Sequence, residues 1–283
     1  MDFLWIFAKR FVAGKTLEQA LPTIKDINNK DMWVTLDILG ENVTNKEEPE
    51  RFLDGYIHVL RTMSKEDIVG GISVKPTMMG MDIGMDLCKE NMSKILEEAK
   101  KLDIFVRIDM EGTAYTQKTI DLVIDLHKQY PNMGTVIQAY LHRAEEDVKR
   151  LIDAGISIRL CKGAYKEPPE LAIKKMKDIR ENFKVLTKLL LRDENVRHAV
   201  ATHDKKLIDW TKDWAGQEGI SKDRFEFQML FGMIPSLQEK LAREGYIFRT
   251  YVPFGTHWFP YFYRRLRERK ENIWFVVKNM FKR

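Results

Sequence analysis

Short apolar runs rich in β-branched residues recur along the chain from about residue 32 onward, and segments with helical spacing separate them. Such runs are typical of buried strands. They occupy residues 32–39, 71–76, 104–109, 135–140, 157–161, 196–202, 224–230 and 246–252. Near-continuous apolar strands joined through helices indicate a parallel sheet that is covered on both faces.

The segments between these runs have the period of amphipathic helices. After the third run, for example, Ile120, Val123, Ile124 and His127 share one face of a predicted helix. Repetition of a strand–helix unit along the whole chain predicts an α/β fold of the (β/α)8 TIM-type barrel. The rival architecture is a doubly wound sheet, but the turn at 39–42 reads Leu-Gly-Glu-Asn and lacks the G-x-G-x-x-G pattern of that fold.

No Pro-, Gly- or Ser-rich linker divides the sequence. We therefore expect a short helical lead-in over residues 1–30 and one barrel catalytic domain over residues 31–283.

Composition narrows the class of protein further. The chain has 283 residues, 44% of them hydrophobic, and a net charge of +5 with acidic and basic residues interspersed. No basic arm or stripe is present, so nucleic-acid binding is disfavoured. Cys88 and Cys161 lack metal-type spacing, which favours a reducing compartment and no metal site. The apolar stretch at 3–7 is too short to cross a bilayer, so we expect a cytoplasmic protein.

Polar residues cluster where the predicted strands end, which is where active sites of such barrels lie. Each cluster alone has a structural explanation, such as an ion pair, or an N-cap at Thr202-His203-Asp204. Together they indicate a polar ligand site, because polar groups inside apolar strands are costly unless they are paired. The clusters are Ser73-Val-Lys75, Arg107-Ile-Asp109-Met-Glu111, Gln138-Ala-Tyr140, Arg159 through Tyr165, Ala201 through Asp204, Glu226-Phe-Gln228 and Arg249-Thr-Tyr251.

The segment after the last predicted strand carries paired arginines. Tyr261, Arg264, Arg265 and Glu268 have spacings that place them on one face of a helix. Arg is suited to bidentate capture of a carboxylate or phosphate. A solvated basic face is the alternative explanation, and the spacing alone does not choose between them.

Several of these motifs, in this order, resemble the proline dehydrogenase family over most of the chain. The specific ones are Arg159-Leu-Cys-Lys-Gly-Ala-Tyr165 and the tyrosine with paired arginines that ends at Arg265. The others are Ser73-Val-Lys75, Arg107-Ile-Asp109-Met-Glu, Gln138-Ala-Tyr140, Ala-Thr-His203, Phe-Glu-Phe-Gln-Met-Leu-Phe-Gly-Met233 and Tyr-x-Pro-x-Gly-Thr.

The resemblance implies a distorted (β/α)8 barrel that binds FAD non-covalently across the carboxyl ends of its strands. It implies catalytic roles for Asp109, which organises the cationic cluster, and for Arg159 beside the flavin N5. The implied substrate-binding residues are Lys75, Arg264, Arg265, Tyr165, Tyr251 and Tyr261. The implied cofactor-binding residues are Met110, Gln138, Arg159, Lys162, Gly163, Ala164, Thr202 and His203.

The implied reaction is oxidation of L-proline to Δ1-pyrroline-5-carboxylate, the first step of proline catabolism to glutamate, with electrons passed on to a quinone. The sequence shows no aldehyde dehydrogenase module after the last predicted helix. A monofunctional enzyme whose product goes to a separate pyrroline-5-carboxylate dehydrogenase is therefore expected.

Two other functions are open at this point. Another barrel enzyme could act on an anionic substrate, either a folate-linked flavin reductase or an aldolase with Lys75 or Lys162 as its Schiff base. A barrel retained as a binding protein is the non-enzymatic alternative. A further hypothesis is peripheral contact with the inner face of the membrane through the apolar residues 273–277 and Phe281, which basic residues flank.

Overall fold

Eight parallel strands close into a barrel in chain order, and the last strand pairs with the first. The structure is a computed structural model that describes residues 2–40, 43, 45 and 47–268. The strands are β1 (Trp33–Ile38), β2 (Gly70–Val74), β3 (Phe105–Ile108), β4 (Met133–Gln138), β5 (Ser157–Cys161), β6 (His198–Ala201), β7 (Phe225–Leu230) and β8 (Ile247–Phe254). The predicted (β/α)8 barrel is confirmed.

Helices lie between successive strands and cover the outside of the barrel. They are α1 (Asp2–Ala8), α2 (Leu17–Asn28), α3 (Glu48–Lys65), α4 (Met85–Lys101), α5 (Thr113–His127), α6 (Ala144–Asp153), α7 (Met176–Arg192), α8 (Lys205–Gln217), α9 (Pro235–Arg243) and α10 (Trp258–Glu268). In α3, Phe52, Tyr56, Val59 and Met63 recur at helical spacing and are buried, whereas the opposite face is polar. Burial of such apolar stripes against the strands builds the main core.

The two helices before β1 pack in different places. The helix α2 buries Leu17, Ala20 and Ile24 and lies against β1 and β8. The helix α1 instead contacts α10, and the Trp5 and Trp258 ring centroids are 5.2 Å apart. This second apolar cluster is separate from the main core. The division of the chain at residue 30 stays a prediction.

The barrel interior is polar to an unusual degree, since such interiors are ordinarily filled by branched aliphatic side chains. Arg107 is buried and donates from Nη1 to the backbone oxygens of Ser157 at 2.7 Å and Thr135 at 3.1 Å. Parallel pairing aligns the carboxyl ends of all strands at one mouth, so the interior polar side chains continue directly into that mouth.

No helix within the described ranges combines the length and the apolar character that crossing a membrane would require.

Candidate active site

An acidic residue at the end of β3 is the centre of the hydrogen-bond network in the mouth. Asp109 accepts at Oδ1 from Arg159 Nη1 over 2.8 Å and from Ser73 Oγ over 2.6 Å. Its Oδ2 accepts from the Tyr251 hydroxyl over 2.9 Å. The Arg159 guanidinium also lies 5.2 Å from the centroid of the Tyr251 ring. Side chains from β2, β5 and β8 therefore share one carboxylate, and the predicted residues Asp109, Arg159 and Tyr251 are brought together.

A second buried ion pair lies in the same mouth. Lys75 Nζ is 2.6 Å from Asp37 Oδ1, and both residues are buried. Burial raises the pKa of Asp37 to about 6 in spite of the opposing effect of Lys75. Asp109 and Tyr251 also act on the Asp37 carboxyl group, so the two ion pairs belong to one electrostatic system. Burial, then the Asp109 charge, raise the pKa of Tyr251 well above its usual range, so the tyrosine keeps its proton.

A side chain from β7 holds the Nε of Arg159, whereas Asp109 holds its Nη1. Its Nε donates to Gln228 Oε1 over 2.6 Å. Its Nη2 is buried and has no hydrogen-bond partner in the described part of the chain. An orphaned guanidinium nitrogen is costly in a buried position, so this atom marks a place where a bound group would accept a hydrogen bond.

Among the residues that the family resemblance assigns to the cofactor, Gln138 at the end of β4 packs against the tight turn that follows β5. Gln138 donates from Nε2 to the Glu111 backbone oxygen over 3.0 Å and accepts from the Ala164 backbone N–H over 3.4 Å. Gly163 has φ +116°, and a Cβ there would come within 2.3 Å of the Tyr140 ring. Only glycine fits this position, because both the backbone angle and the neighbouring ring exclude a side chain.

The predicted residues at the end of β6 interact mainly with their own neighbourhood. Asp204 is the N-cap of α8, as the structural explanation of this motif expected. The Thr202 hydroxyl accepts from the Asp204 backbone N–H over 3.1 Å, and Lys162 Nζ lies 3.2 Å from Asp204 Oδ2. His203 Nε2 accepts from the Leu230 backbone N–H over 2.9 Å. The cofactor roles of these residues stay predictions.

The helix α10 buries part of the predicted substrate face. Tyr261 and Arg265 are buried, Arg264 is half-buried, and the Arg265 guanidinium lies 5.1 Å from the Tyr261 ring centroid. Tyr165, in the loop after β5, is 39% exposed. Met110 is buried beside Asp109 in sequence. That Arg264 and Arg265 meet Lys75 around one carboxylate stays a prediction.

Three residues of the network, Asp37, Ser73 and Gln228, have no contact that the sequence motifs predicted. A signal for them exists in the strands. Asp37 follows Thr35 by two positions and Gln228 follows Glu226 by two, and residues two apart point to the same face of a strand. Polar residues repeated on the inward face of a buried strand need partners across the barrel.

Comparisons with known proteins give the family of this chain. A family model described as "Proline dehydrogenase" matches residues 20–278. The chain is 42% identical over 279 residues to "Proline dehydrogenase 2" of Bacillus subtilis strain 168, which covers 98% of this chain and 91% of that protein. It is 35% identical over 284 residues to "Proline dehydrogenase" of Deinococcus radiodurans, with 99% and 91% covered.

Solved structures show the same fold. A crystal structure of proline utilization A (PutA) from Bdellovibrio bacteriovorus, inactivated by N-propargylglycine, matches with a TM-score of 0.85 and 26% identity. The match covers 92% of this chain and 32% of that chain, so this chain spans about a third of the PutA length. The matching family model and the two relatives together show that the chain belongs to the proline dehydrogenase family.

Proposed function

We propose that this chain oxidises L-proline to Δ1-pyrroline-5-carboxylate with non-covalently bound FAD. The single observation that carries the proposal is the geometry of Arg159. Its Nη1 donates to Asp109 and Ser73 and its Nε donates to Gln228, while Nη2 is buried with no partner among the described residues. The membership of the family and the names of the relatives support proline as the substrate.

The residues in the mouth fit a flavin. When bound, FAD supplies the acceptor for the hydride that leaves the proline ring. Arg159 Nη2 is a buried cationic donor that an electron-rich flavin ring would satisfy. Gly163 lets the turn after β5 pack closely against the Tyr140 ring, and we propose that the backbone of this turn contacts the flavin. We propose that Met110, Gln138, Lys162, Ala164, Thr202 and His203 complete the cofactor contacts.

We propose that Lys75, Arg264 and Arg265, here called the carboxylate seat, hold the proline carboxylate by charge. Tyr165, Tyr251 and Tyr261 line the proposed pocket. Fixing the carboxylate at several cationic points would orient the reacting C–H bond, so that most of the catalytic effect is positional. The amine must be neutral when the hydride leaves, so proline reacts in its deprotonated form. Asp109 keeps Arg159 and Tyr251 in place while this happens.

The electron acceptor and the fate of the product belong to the same proposal. A quinone is the proposed acceptor, and a separate pyrroline-5-carboxylate dehydrogenase is the proposed consumer of the product. We propose a cytoplasmic protein that contacts the inner face of the membrane peripherally. The residues on which this contact depends, 273–277 and Phe281, lie outside the described residues.

An anaerobic absorption spectrum tests the proposal. The purified protein, reconstituted with FAD where needed, is expected to show oxidised flavin bands that fade when L-proline is added without oxygen. D-Proline is the matched control ligand, because inversion at Cα moves the reacting ring CH2 away from the place it takes when the carboxylate of L-proline is held. A protein that binds no FAD, or bands that L-proline leaves unchanged, would refute the proposal. Borohydride trapping of a substrate adduct on Lys75 or Lys162 would favour the Schiff-base aldolase instead.

A further inference from the structure

A column of buried polar side chains continues below Arg159 toward the barrel floor. Gln228 and Glu226, both on β7, are each 3% exposed, and Arg249 on β8 is 7% exposed. Gln228 accepts from Arg159 Nε over 2.6 Å and donates from Nε2 to Glu226 Oε1. Gln228 therefore links the arginine of the mouth to a carboxylate deep in the barrel.

The partners of Gln228 fix the orientation of its amide. Arg159 Nε can only donate, and an ionised Glu226 can only accept. Rotation of the amide by a half turn would place two donors together at Arg159 and two oxygens together at Glu226. One orientation satisfies both contacts, and the other satisfies neither.

Glu226 is held ionised by the residue beneath it. Arg249 donates to Glu226 from Nε over 2.9 Å and from Nη2 over 3.0 Å, which is a bidentate pair. Burial alone would raise the pKa of Glu226, but Arg249, and Arg107 after it, lower the pKa below its ordinary value. The Arg249 Nη1 donates to the Val34 backbone oxygen over 3.2 Å, and its guanidinium lies 4.9 Å from the Trp33 ring centroid. The base of the column is therefore anchored on β1.

Burying an ion pair and an amide in the barrel centre carries a large desolvation cost. Apolar side chains of similar volume are often as stable or more stable in such a position. The polar column nevertheless ends on Arg159, whose Nη2 is buried without a hydrogen-bond partner in the described part of the chain.

We propose that Gln228, supported by Glu226 and Arg249, is a positioning residue that fixes the plane of the Arg159 guanidinium so that Nη2 faces the flavin. The inference rests on the proposed function, since it requires flavin in the mouth. Asp109 and Ser73 hold only Nη1, and that contact leaves the guanidinium free to tilt about one edge. The bond from Nε to Gln228 adds a second edge and removes this freedom.

The test compares Gln228→Met and Glu226→Gln with wild type. Methionine keeps the length of glutamine and removes both hydrogen bonds. Glutamine at 226 keeps the volume, but its amide nitrogen opposes an Arg249 donor in either orientation, and in one of them it opposes the Gln228 amide as well. In wild type, Glu226 Oε1 accepts from Gln228 Nε2 and Arg249 Nε, and Oε2 accepts from Arg249 Nη2. Gln238→Met is the matched control, since Gln238 is equally buried and bonds to the Leu230 and Met233 backbone oxygens instead.

The readouts are the midpoint potential of the bound flavin and the separate values of kcat and KM for proline. A displaced Arg159 stabilises the reduced, electron-rich flavin less well. We expect the potential to fall by about 30 mV in Gln228→Met, which for a two-electron couple is a tenfold change. The value of kcat should fall by about tenfold or more, whereas KM should change little because the carboxylate seat is elsewhere. Glu226→Gln should lower the flavin potential and kcat as well, each by a smaller amount than Gln228→Met.

The inference is overturned if Gln228→Met keeps the wild-type flavin potential and kcat, even if its melting temperature is lowered. It is also overturned if Gln238→Met shifts the flavin potential by the same amount as Gln228→Met. If Gln228→Met is not recovered folded, Glu226→Gln decides by the same readings. The potential is measured without proline. A wild-type flavin that proline does not reduce would therefore refute the proposed function, and that failure is distinct from failure of the positioning role.

Discussion

The Tyr251 hydroxyl donates a hydrogen bond of 2.9 Å to Asp109 Oδ2, and the two residues are 142 positions apart in the sequence. The other oxygen of the same carboxylate accepts from Arg159 and Ser73. One acidic side chain thus connects three strands at the mouth of the barrel. A carboxylate with both oxygens occupied by donors is a rigid fixture, because movement of any one partner breaks a charge-assisted bond.

Removing the tyrosine hydroxyl should affect turnover more than folding. We expect Tyr251→Phe to lower kcat/KM for proline by about tenfold, since hydrogen bonds to charged groups contribute about 1.5–3 kcal/mol. The phenyl ring of the variant keeps the packing of the tyrosine ring. Steady-state kinetics with proline measure the effect. Tyr130→Phe, at a buried tyrosine before β4, is the control and should keep the wild-type kcat/KM. Equal losses in both variants would contradict a specific role for the Tyr251 hydroxyl.

The buried carboxyl group of Asp37 should make stability depend on pH in a defined direction. Its folded-state pKa of about 6 lies above the ordinary value of 3.8. Between these pH values the folded protein binds this proton more tightly than the unfolded chain, so its contribution to the free energy of unfolding falls as pH rises. Lys75, Asp109 and Tyr251 are the groups that act on it.

The matched measurement is urea unfolding of wild type and Asp37→Asn at a series of pH values. We expect the free energy of unfolding of wild type, minus that of the variant, to decrease as pH rises from about 4 to about 6 and to stay constant just above that range. A difference that increases over this range would show that the pKa of Asp37 is lowered in the folded state.

The glycine at 163 should be required for flavin binding beyond its effect on the backbone. Gly163→Ala places a methyl group against the Tyr140 ring at a φ of +116°. Gly155 has a φ of +69° after α6, and a Cβ there would meet no atom within 4 Å, so Gly155→Ala has the backbone strain alone. We expect Gly163→Ala to retain much less flavin than Gly155→Ala. The ratio of flavin absorbance to protein absorbance measures the retained flavin. Equal flavin contents in the two variants would contradict the assignment of Gly163 to the flavin site.

The paired arginines of α10 should affect substrate capture and not flavin retention. We expect Arg264→Ala and Arg265→Ala to raise KM for proline by about 10- to 100-fold while the purified proteins stay yellow. Arg265→Ala should also lower the melting temperature, because Arg265 is buried against the Tyr261 ring. Loss of flavin from either variant would contradict their place in the carboxylate seat.

Hydrophobic periodicity was sufficient to predict the barrel. Each of the eight predicted strands overlaps an observed one, and their ends agree within two residues. The helix face predicted after β3 was less accurate. Ile120 and Val123 are buried as expected, but Leu122 and Leu126 are buried too, and His127 is half-buried. The helix packs in a groove between its neighbours, so more than one stripe of its surface is covered.

The contacts in the mouth could be predicted only in part. The motifs identified Lys75, Asp109 and Arg159 as functional candidates. They did not pair Lys75 with Asp37, or Arg159 with Gln228, because each pair joins strands that are distant in sequence. Partners across a closed barrel depend on the register and tilt of the strands, and a single sequence does not encode these in any local pattern.

The most direct test of the proposed flavin and proline sites is a crystal structure of the FAD-loaded protein with a proline analogue. The analogue retains the carboxylate but cannot be oxidised. We expect this carboxylate to lie within hydrogen-bond distance of Lys75, Arg264 and Arg265, and Arg159 Nη2 to contact the flavin ring. An analogue bound elsewhere, or a carboxylate that meets none of the three cations, would refute this arrangement of the site.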